Sequence, residues 1–287
     1  MGHWTDERAR TGCTVILPDA EAVAGVSVRG GAPGTRETDL LDPIRTSERI
    51  DAVLLSGGSA YGLAAADGVM RWLEERGIGR KVAGQVVPIV PTAIVFDLAV
   101  GDPKVRPGPN EGYAACESAS ADAPREGRVG AGTGATVGKM MGRELSRAGG
   151  VGIASRRVGD VSVGALFAVN ALGDVVAEDG SLVNAPPDTQ RIVDRLLAGE
   201  RPVLRTAREA TTIGVVATDA QLTKTEASWL ATVAHDGIAR AVYPAHSRGD
   251  GDTVFALSTL RGPRIDLEAL AAIAVEVTAD AIRRAVR

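Results

Sequence analysis

Short apolar runs recur along this chain, and glycine-rich turns separate them. The clearest are Thr14–Leu17, Val23–Val28, Ala52–Leu55, Val151–Ile153, Val161–Val169, Val175–Ala177, Ile213–Ala217 and Thr253–Leu257. Several are apolar at nearly every position. A strand with one wet face alternates apolar and polar residues, so a continuous run predicts a strand covered on both faces. Three segments offer that cover. One helix is predicted from about Ala60 to Arg76. A second runs from about Lys224 to Val242, opened by a capping box of Thr223 with Glu226. A third runs from about Leu267 to Val286 behind Asp266, a sound N-cap. Aromatic residues are only 3% of the chain and glycines number 35. The core must then be built from Ala, Val, Leu and Ile with close backbone contacts. The pattern is mixed α/β, and no repeat or linker divides it, so one domain over 1–287 is expected. Residues 101–112, 117–128 and 188–210 read as connections, the last with one weak helix.

Several function classes drop out. A net charge of −4 with no basic stripe argues against nucleic acid. No run approaches the roughly 18 apolar residues of a membrane span, and "MGHWTDERAR" has no apolar signal segment, so a soluble cytoplasmic protein without a membrane partner is expected. Cys13 and Cys116 make no disulfide framework, and His3, His235 and His246 lack zinc-ligand spacing. No metal and no cofactor are expected.

Four stretches carry chemically suggestive residues, each with a bland alternative. "GRVGAGTGATVGKM" (127–140) fails as a phosphate loop: Thr133 stands at the first glycine position and Met140 replaces the magnesium-binding hydroxyl. Gly130, Gly132 and Ala135 fit a loose dinucleotide pattern, but no apolar strand leads into it. "GGSAY" places Ser59 in a near nucleophile elbow; Tyr61 occupies the second glycine position, so a sharp turn is not supported. His235 reads as a partly exposed surface or interface residue. Thr211 and Thr212 stand at the mouth of the apolar run Ile213–Ala217, where threonine also suits a plain strand start.

Six blocks in order decide among these: "RGGAPGTRETDLL", "LLSGGSAYGLAAADGVMRWLEERG", "VGAGTGATVGK", "SRRVGDVSVGALFAVNALGDVV", "TTIGVVATDAQLTK" and "GDGDTVFAL". Together they resemble the DmpA-like family of L-aminopeptidase/D-esterases, β-peptidyl aminopeptidases and nylon-oligomer hydrolases, peptidase family S58. The likeness covers nearly the whole chain. It implies an α/β (α+β) four-layer αββα sandwich resembling N-terminal-nucleophile hydrolases. It also implies self-cleavage between Ala210 and Thr211 into residues 1–210 and 211–287, and a homo-oligomer of cut protomers.

The resemblance assigns roles residue by residue. Thr211 matches the nucleophile; its freed α-amine would be the base that takes the hydroxyl proton. Asn170 matches the oxyanion donor, where the bland alternative is a turn asparagine. Lys139 matches a catalytic lysine of the nylon-hydrolase branch, against a solvated surface lysine. Asp250 and Asp252 match an acidic or polar pair that would hold the new ammonium, against an ordinary Asp-Gly turn. Phe96, Ser59 and Tyr61 are candidates for the substrate pocket. Two departures stand out: Phe96 falls where some members carry an oxyanion-assisting tyrosine, and Ala210 falls where the nylon-hydrolase branch has asparagine and the aminopeptidase branch glycine. The expected substrate is a short peptide or amide oligomer; the alternative is an uncut, catalytically silent member with a structural or binding role.

Overall fold

The computed structural model describes residues 1–203 and 209–287; residues 204–208 of the charged connection lie outside the described residues. In chain order the strands of two main sheets are β1 (Gly2–Asp6), β2 (Thr11–Ile16), β3 (Ala22–Val28), β4 (Thr35–Arg36), β5 (Arg49–Ile50), β6 (Val53–Ser56), β7 (Thr92–Ile94), β8 (Gly150–Val158), β9 (Val161–Asn170), β10 (Thr211–Thr218) and β11 (Thr253–Ser258). The helices are α1 (Ala65–Glu74), α2 (Pro109–Glu117), α3 (Ile192–Leu197), α4 (Lys224–Ala241) and α5 (Leu267–Arg284). One sheet has the order β1-β2-β6-β7-β4 and the other β8-β9-β10-β11-β3-β5.

Three buried clusters stack these elements into four layers. Cys13, Val15, Leu54, Val69, Leu73 and Ala115 join the smaller sheet to α1 and α2. Val53, Leu55, Leu166, Ile213, Val215 and Phe255 fill the space between the sheets. Phe167, Val216, Leu230, Ile238, Val277 and Ile282 join the larger sheet to α4 and α5. The order is helix, sheet, sheet, helix. Both sheets are therefore internal. Along β9, Leu166 and Ala168 face the other sheet while Val163, Ala165 and Phe167 face the helices. Two apolar environments, one on each side, produce the unbroken apolar runs.

Glycine sets how closely the helix layer approaches. A Cβ on Gly25 of β3 would lie 2.2 Å from the Ser228 nitrogen of α4, and one on Gly152 of β8 would lie 2.0 Å from the Ala281 oxygen of α5. Backbone therefore packs on backbone, which suits a core poor in aromatic rings.

Some expectations need correction. The helix expected from Ala60 begins as a 3-10 turn, Ser59–Ala64, and becomes α-helical only at Ala65. Residues 101–112 are not all loop, because α2 starts at Pro109 with Glu111 capping the Gly108 nitrogen at 2.9 Å. His235 is fully buried, not partly exposed: its Nε2 meets the Ser27 oxygen at 3.0 Å. The capping box at Thr223 and the Asp266 cap are present as read.

Gly25→Ala should destabilise the protein by about 1–3 kcal/mol, because α4 must move off the sheet. Gly164→Ala in the same sheet meets nothing nearer than 3.8 Å and should be neutral or mildly stabilising. Urea unfolding of both variants checks this; equal losses would refute the close-approach argument.

Candidate active site

The site forms where β9 and β10 end together. Their antiparallel register pairs Asn170 with Thr211, the last residue of one strand and the first of the other. Both are buried. Ala210 just precedes β10 and bridges Asp250 in parallel fashion. Thr211 Oγ donates to the Ala210 oxygen at 2.5 Å, and the Gly251 nitrogen donates to that same oxygen at 3.0 Å. The carbonyl before Thr211 is thus polarised by a backbone N–H and lies beside the hydroxyl.

The Asn170 amide is held from both ends. Its Oδ1 accepts from Lys139 Nζ at 2.7 Å and from the Thr136 nitrogen at 3.0 Å. Those donors fix the orientation of the amide. Its Nδ2 donates to the Phe96 oxygen at 3.0 Å and the Glu209 oxygen at 3.1 Å. Lys139 Nζ also donates to Thr136 Oγ at 3.0 Å. Lys139 is not a solvated surface lysine: only 4% of it is exposed. Burial pushes its pKa down to about 7, and Arg143 adds to this, while Asp250, Glu209 and Asp97 oppose it. A group that is half neutral near pH 7 is suited to exchanging protons at that pH.

The two aspartates lie beside the start of β10, Asp250 bridged to Ala210 and Asp252 to the Thr212 nitrogen. Asp252 Oδ1 accepts from the Thr212 nitrogen at 2.6 Å, and its Oδ2 meets His246 Nδ1 at 2.7 Å. Asp250 Oδ2 accepts from the Ser247 nitrogen at 2.8 Å. Burial, and then the like charge of Asp252, raise the Asp250 pKa to about 6. His235 packs edge-on against His246 at 4.9 Å, and burial lowers its pKa to about 4, so it stays neutral at physiological pH.

Five sequence-derived residues, Thr211, Asn170, Lys139, Asp250 and Asp252, therefore converge with Ala210. The pocket candidates fare differently. Phe96 contributes its backbone oxygen to Asn170, and its half-buried ring has no hydroxyl to offer. Tyr61 is 62% exposed and stacks under the Arg106 guanidinium at 3.9 Å. The turn at Ser59 is sharp after all, with φ of 79° at Gly58 and 56° at Ser59 following β6. Among the described residues, however, no imidazole lies within hydrogen-bond reach of the Ser59 hydroxyl. Sequence reading missed His246, Thr136, Asp97, Arg143 and Glu209. Asp97, buried after the apolar "AIVF", accepts from Thr11 Oγ at 2.7 Å and from the Gly58 nitrogen at 2.8 Å. A carboxylate ending an apolar run was the available signal for it. Among the described residues no group of His, Cys, Asp and Glu has the makings of a metal site.

The match to Peptidase family S58 spans residues 1–287. The chain belongs to that family. It is a hydrolase of peptide or amide bonds. An uncharacterized aminopeptidase of Mycobacterium tuberculosis is 48% identical over 260 residues, covering 86% of this chain and 73% of the relative. A 6-aminohexanoate-oligomer endohydrolase of Paenarthrobacter ureafaciens is 32% identical over 302 residues, covering 97% and 81%. In fold this family member resembles a β-aminopeptidase of a Burkholderia species (TM-score 0.73, 22% identity, 99% of this chain and 82% of that one). It likewise resembles the L-aminopeptidase D-Ala-esterase/amidase of Ochrobactrum anthropi, described as a variant of the Ntn hydrolase fold (TM-score 0.71, 20% identity, 99% and 82%).

Lys139→Met should stabilise the fold, with a pH signature. The lysine's folded pKa of about 7 lies below its ordinary 10.5. Between those values the unfolded chain binds the proton more readily, so wild-type stability rises with pH there. The variant's advantage should be largest below pH 7 and shrink toward pH 10. Urea unfolding at pH 6 and pH 9 measures it; an equal gap at both would contradict the burial argument.

Proposed function

We propose that the protein is a self-processing N-terminal-threonine amidohydrolase that cuts short peptides or amide oligomers. The observation that carries this reading is the Thr211 hydroxyl beside the Ala210 carbonyl, which Gly251 polarises. In the first stage Thr211 Oγ attacks the Ala210 carbonyl carbon. The Gly251 N–H stabilises the oxyanion, and neutral Lys139, held against Asn170 opposite Thr211, takes the hydroxyl proton. The Ala210–Thr211 C–N bond then breaks, and the proton passes to the departing amine. An ester links Ala210 to Thr211 Oγ, and water hydrolyses it. Alanine at 210 takes no chemical part and adds little bulk, so it slows this stage without blocking it.

In the second stage the freed α-amine of Thr211 is the base. An unperturbed α-amine titrates at about 7.7–8.0, close to working pH. It accepts the hydroxyl proton as Oγ attacks the substrate carbonyl, then passes it to the leaving amine; water, giving its proton to the same α-amine, then hydrolyses the acyl-threonine ester, releasing the acid and restoring the Thr211 hydroxyl. Asn170 Nδ2 meets the oxyanion, free of the Glu209 oxygen once residues 209–210 withdraw. Asp250 and Asp252 hold the ammonium form of the new N-terminus. The names of the relatives support α- or β-peptide or ω-amino-acid amide substrates. The free, buried Cys13 and Cys116 fit a reducing cytoplasm, and we assign a homo-oligomer of cut protomers.

Thr211→Ala should yield a folded, full-length, inactive chain, while Thr212→Ala should still be cut, since it is the Thr212 backbone nitrogen that Asp252 holds. Mass measurement of denatured protein reads both; cutting in Thr211→Ala would overturn the assignment. Asn170→Ala in cut protein should lower kcat by roughly 10²–10³. The rate of cut wild-type protein on alanine p-nitroanilide should rise with pH through one neutral-range step as the α-ammonium loses its proton; Lys139→Ala, lacking the base assigned to the first stage, should stay largely uncut, and any cut fraction should show a shifted midpoint.

A further inference from the structure

Residues 209–210 lie in the site as a bound peptide would, on the acyl side of the bond assigned for cutting. The Ala210 oxygen is held by Gly251, the Glu209 oxygen by Asn170, and the Glu209 side chain by Arg143. The last contact is a two-pronged carboxylate clasp. Arg143 Nε donates to Glu209 Oε2 at 2.8 Å, and its Nη2 pairs with Oε1. The arginine side chain is 54% exposed and the glutamate only 16%, so the acid is tucked in while the cation stands at the rim. Arg143 follows Gly142, whose φ of 138° turns the chain just after the buried Lys139. The clasp and the lysine are thereby fixed by one short segment.

Chemistry links this arrangement to substrate choice. The ester between Ala210 and Thr211 Oγ, formed during self-cleavage, is an acyl-threonine. The intermediate formed from any substrate is also an acyl-threonine on the same oxygen. The part of that surface beside Arg143, which holds the Glu209 side chain when the ester forms, is therefore available to the acyl part of a substrate, while Asn170 is left to the oxyanion. When the cut end withdraws, it takes the Glu209 carboxylate with it and leaves a planar cation that accepts carboxylates bidentately. Resting on the self-cleaving reading above, we propose that Arg143 is a carboxylate-binding subsite on the acyl side. The cut enzyme then favours chains bearing an acidic side chain one residue before the residue whose carbonyl is attacked.

The test uses cut wild-type protein and cut Arg143→Gln, with acetyl-Glu-Ala-p-nitroanilide, acetyl-Gln-Ala-p-nitroanilide and unblocked alanine p-nitroanilide. An exposed bidentate pair is worth up to about 1 kcal/mol, so the Glu substrate should exceed the Gln substrate in kcat/KM by about fivefold, through KM. The ratio should fall to about one in Arg143→Gln and shrink in about 0.5 M sodium chloride. The product peptides acetyl-Glu-Ala and acetyl-Gln-Ala, titrated calorimetrically, should show the same ratio in Kd. A wild-type ratio near one, a ratio that survives Arg143→Gln, or hydrolysis of alanine p-nitroanilide alone would overturn the subsite and leave the hydrolase reading intact. Cut protein that hydrolyses none of the three would instead count against the hydrolase reading, and the titration would then decide the subsite by itself.

Discussion

Pairing of Asn170 with Thr211 across the ends of β9 and β10 is the constraint on which the site depends. The two strands are neighbours in the middle of a sheet that is covered on both faces. Their ends inherit that rigidity, and the two residues face each other without long side chains to position them. Everything else is placed relative to this pair. Lys139 and Thr136 reach Asn170 from one side, and the turn that carries Gly251 reaches Ala210 from the other. A hydroxyl carried on a loop would keep more freedom than one fixed at the start of a central strand.

The same burial makes the site electrostatically costly. Lys139, Asp97, Asp250 and Asp252 are all buried within one neighbourhood, where uncompensated charge is expensive. The structure spreads the cost in two ways. Hydrogen bonds from backbone nitrogens serve the carboxylates: Gly58 to Asp97, Ser247 to Asp250, Thr212 to Asp252. Titration serves the rest, since Lys139 and Asp250 are both moved toward neutrality, to about 7 and about 6. A cluster moved toward neutrality from both directions is suited to proton transfer near that pH. It is poorly explained as a device for stability.

Glycine and small side chains make the layers possible. The helix layer rests on β3 and β8 through Gly25 and Gly152, where even a methyl group would collide with helix backbone. Phe167 and Phe255 are the large fully buried rings, one on each face of the larger sheet. Gly214 leaves room for the first: its missing Cβ would lie 2.3 Å from the Phe167 ring, three residues from Thr211. Packing in the strand that carries Thr211 is thus tight just where precise placement matters.

Apolar runs, capping residues and glycines were enough to read β9, β10, β11, α4 and α5 almost to their ends, because those signals act over a few residues. The ordered blocks singled out Thr211, Asn170, Lys139, Asp250 and Asp252, and the fold brings them together. What escaped depended on distance along the chain. His246 against Asp252 is a local contact, but nothing in "AHSRGDGD" says that the turn closes on itself. Arg143 with Glu209, Asp97 with Thr11 and Gly58, and Asn170 with Phe96 join residues tens of positions apart. His235 was misread because a lone histidine on a helix has no local sign of which face is buried. Ser59 was misread because a positive φ follows from how β6 must turn into the helix layer, not from the second-glycine rule. By itself the sequence determined which strands would be internal and where α4 and α5 begin, since these follow from local propensity and periodicity, and through the resemblance of its ordered blocks it pointed to the residues that supply the chemistry. Only the tertiary structure decided which of the buried polar groups face one another and how far burial moves their pKa values, because desolvation and hydrogen bonding across the sheets depend on what all the other layers exclude.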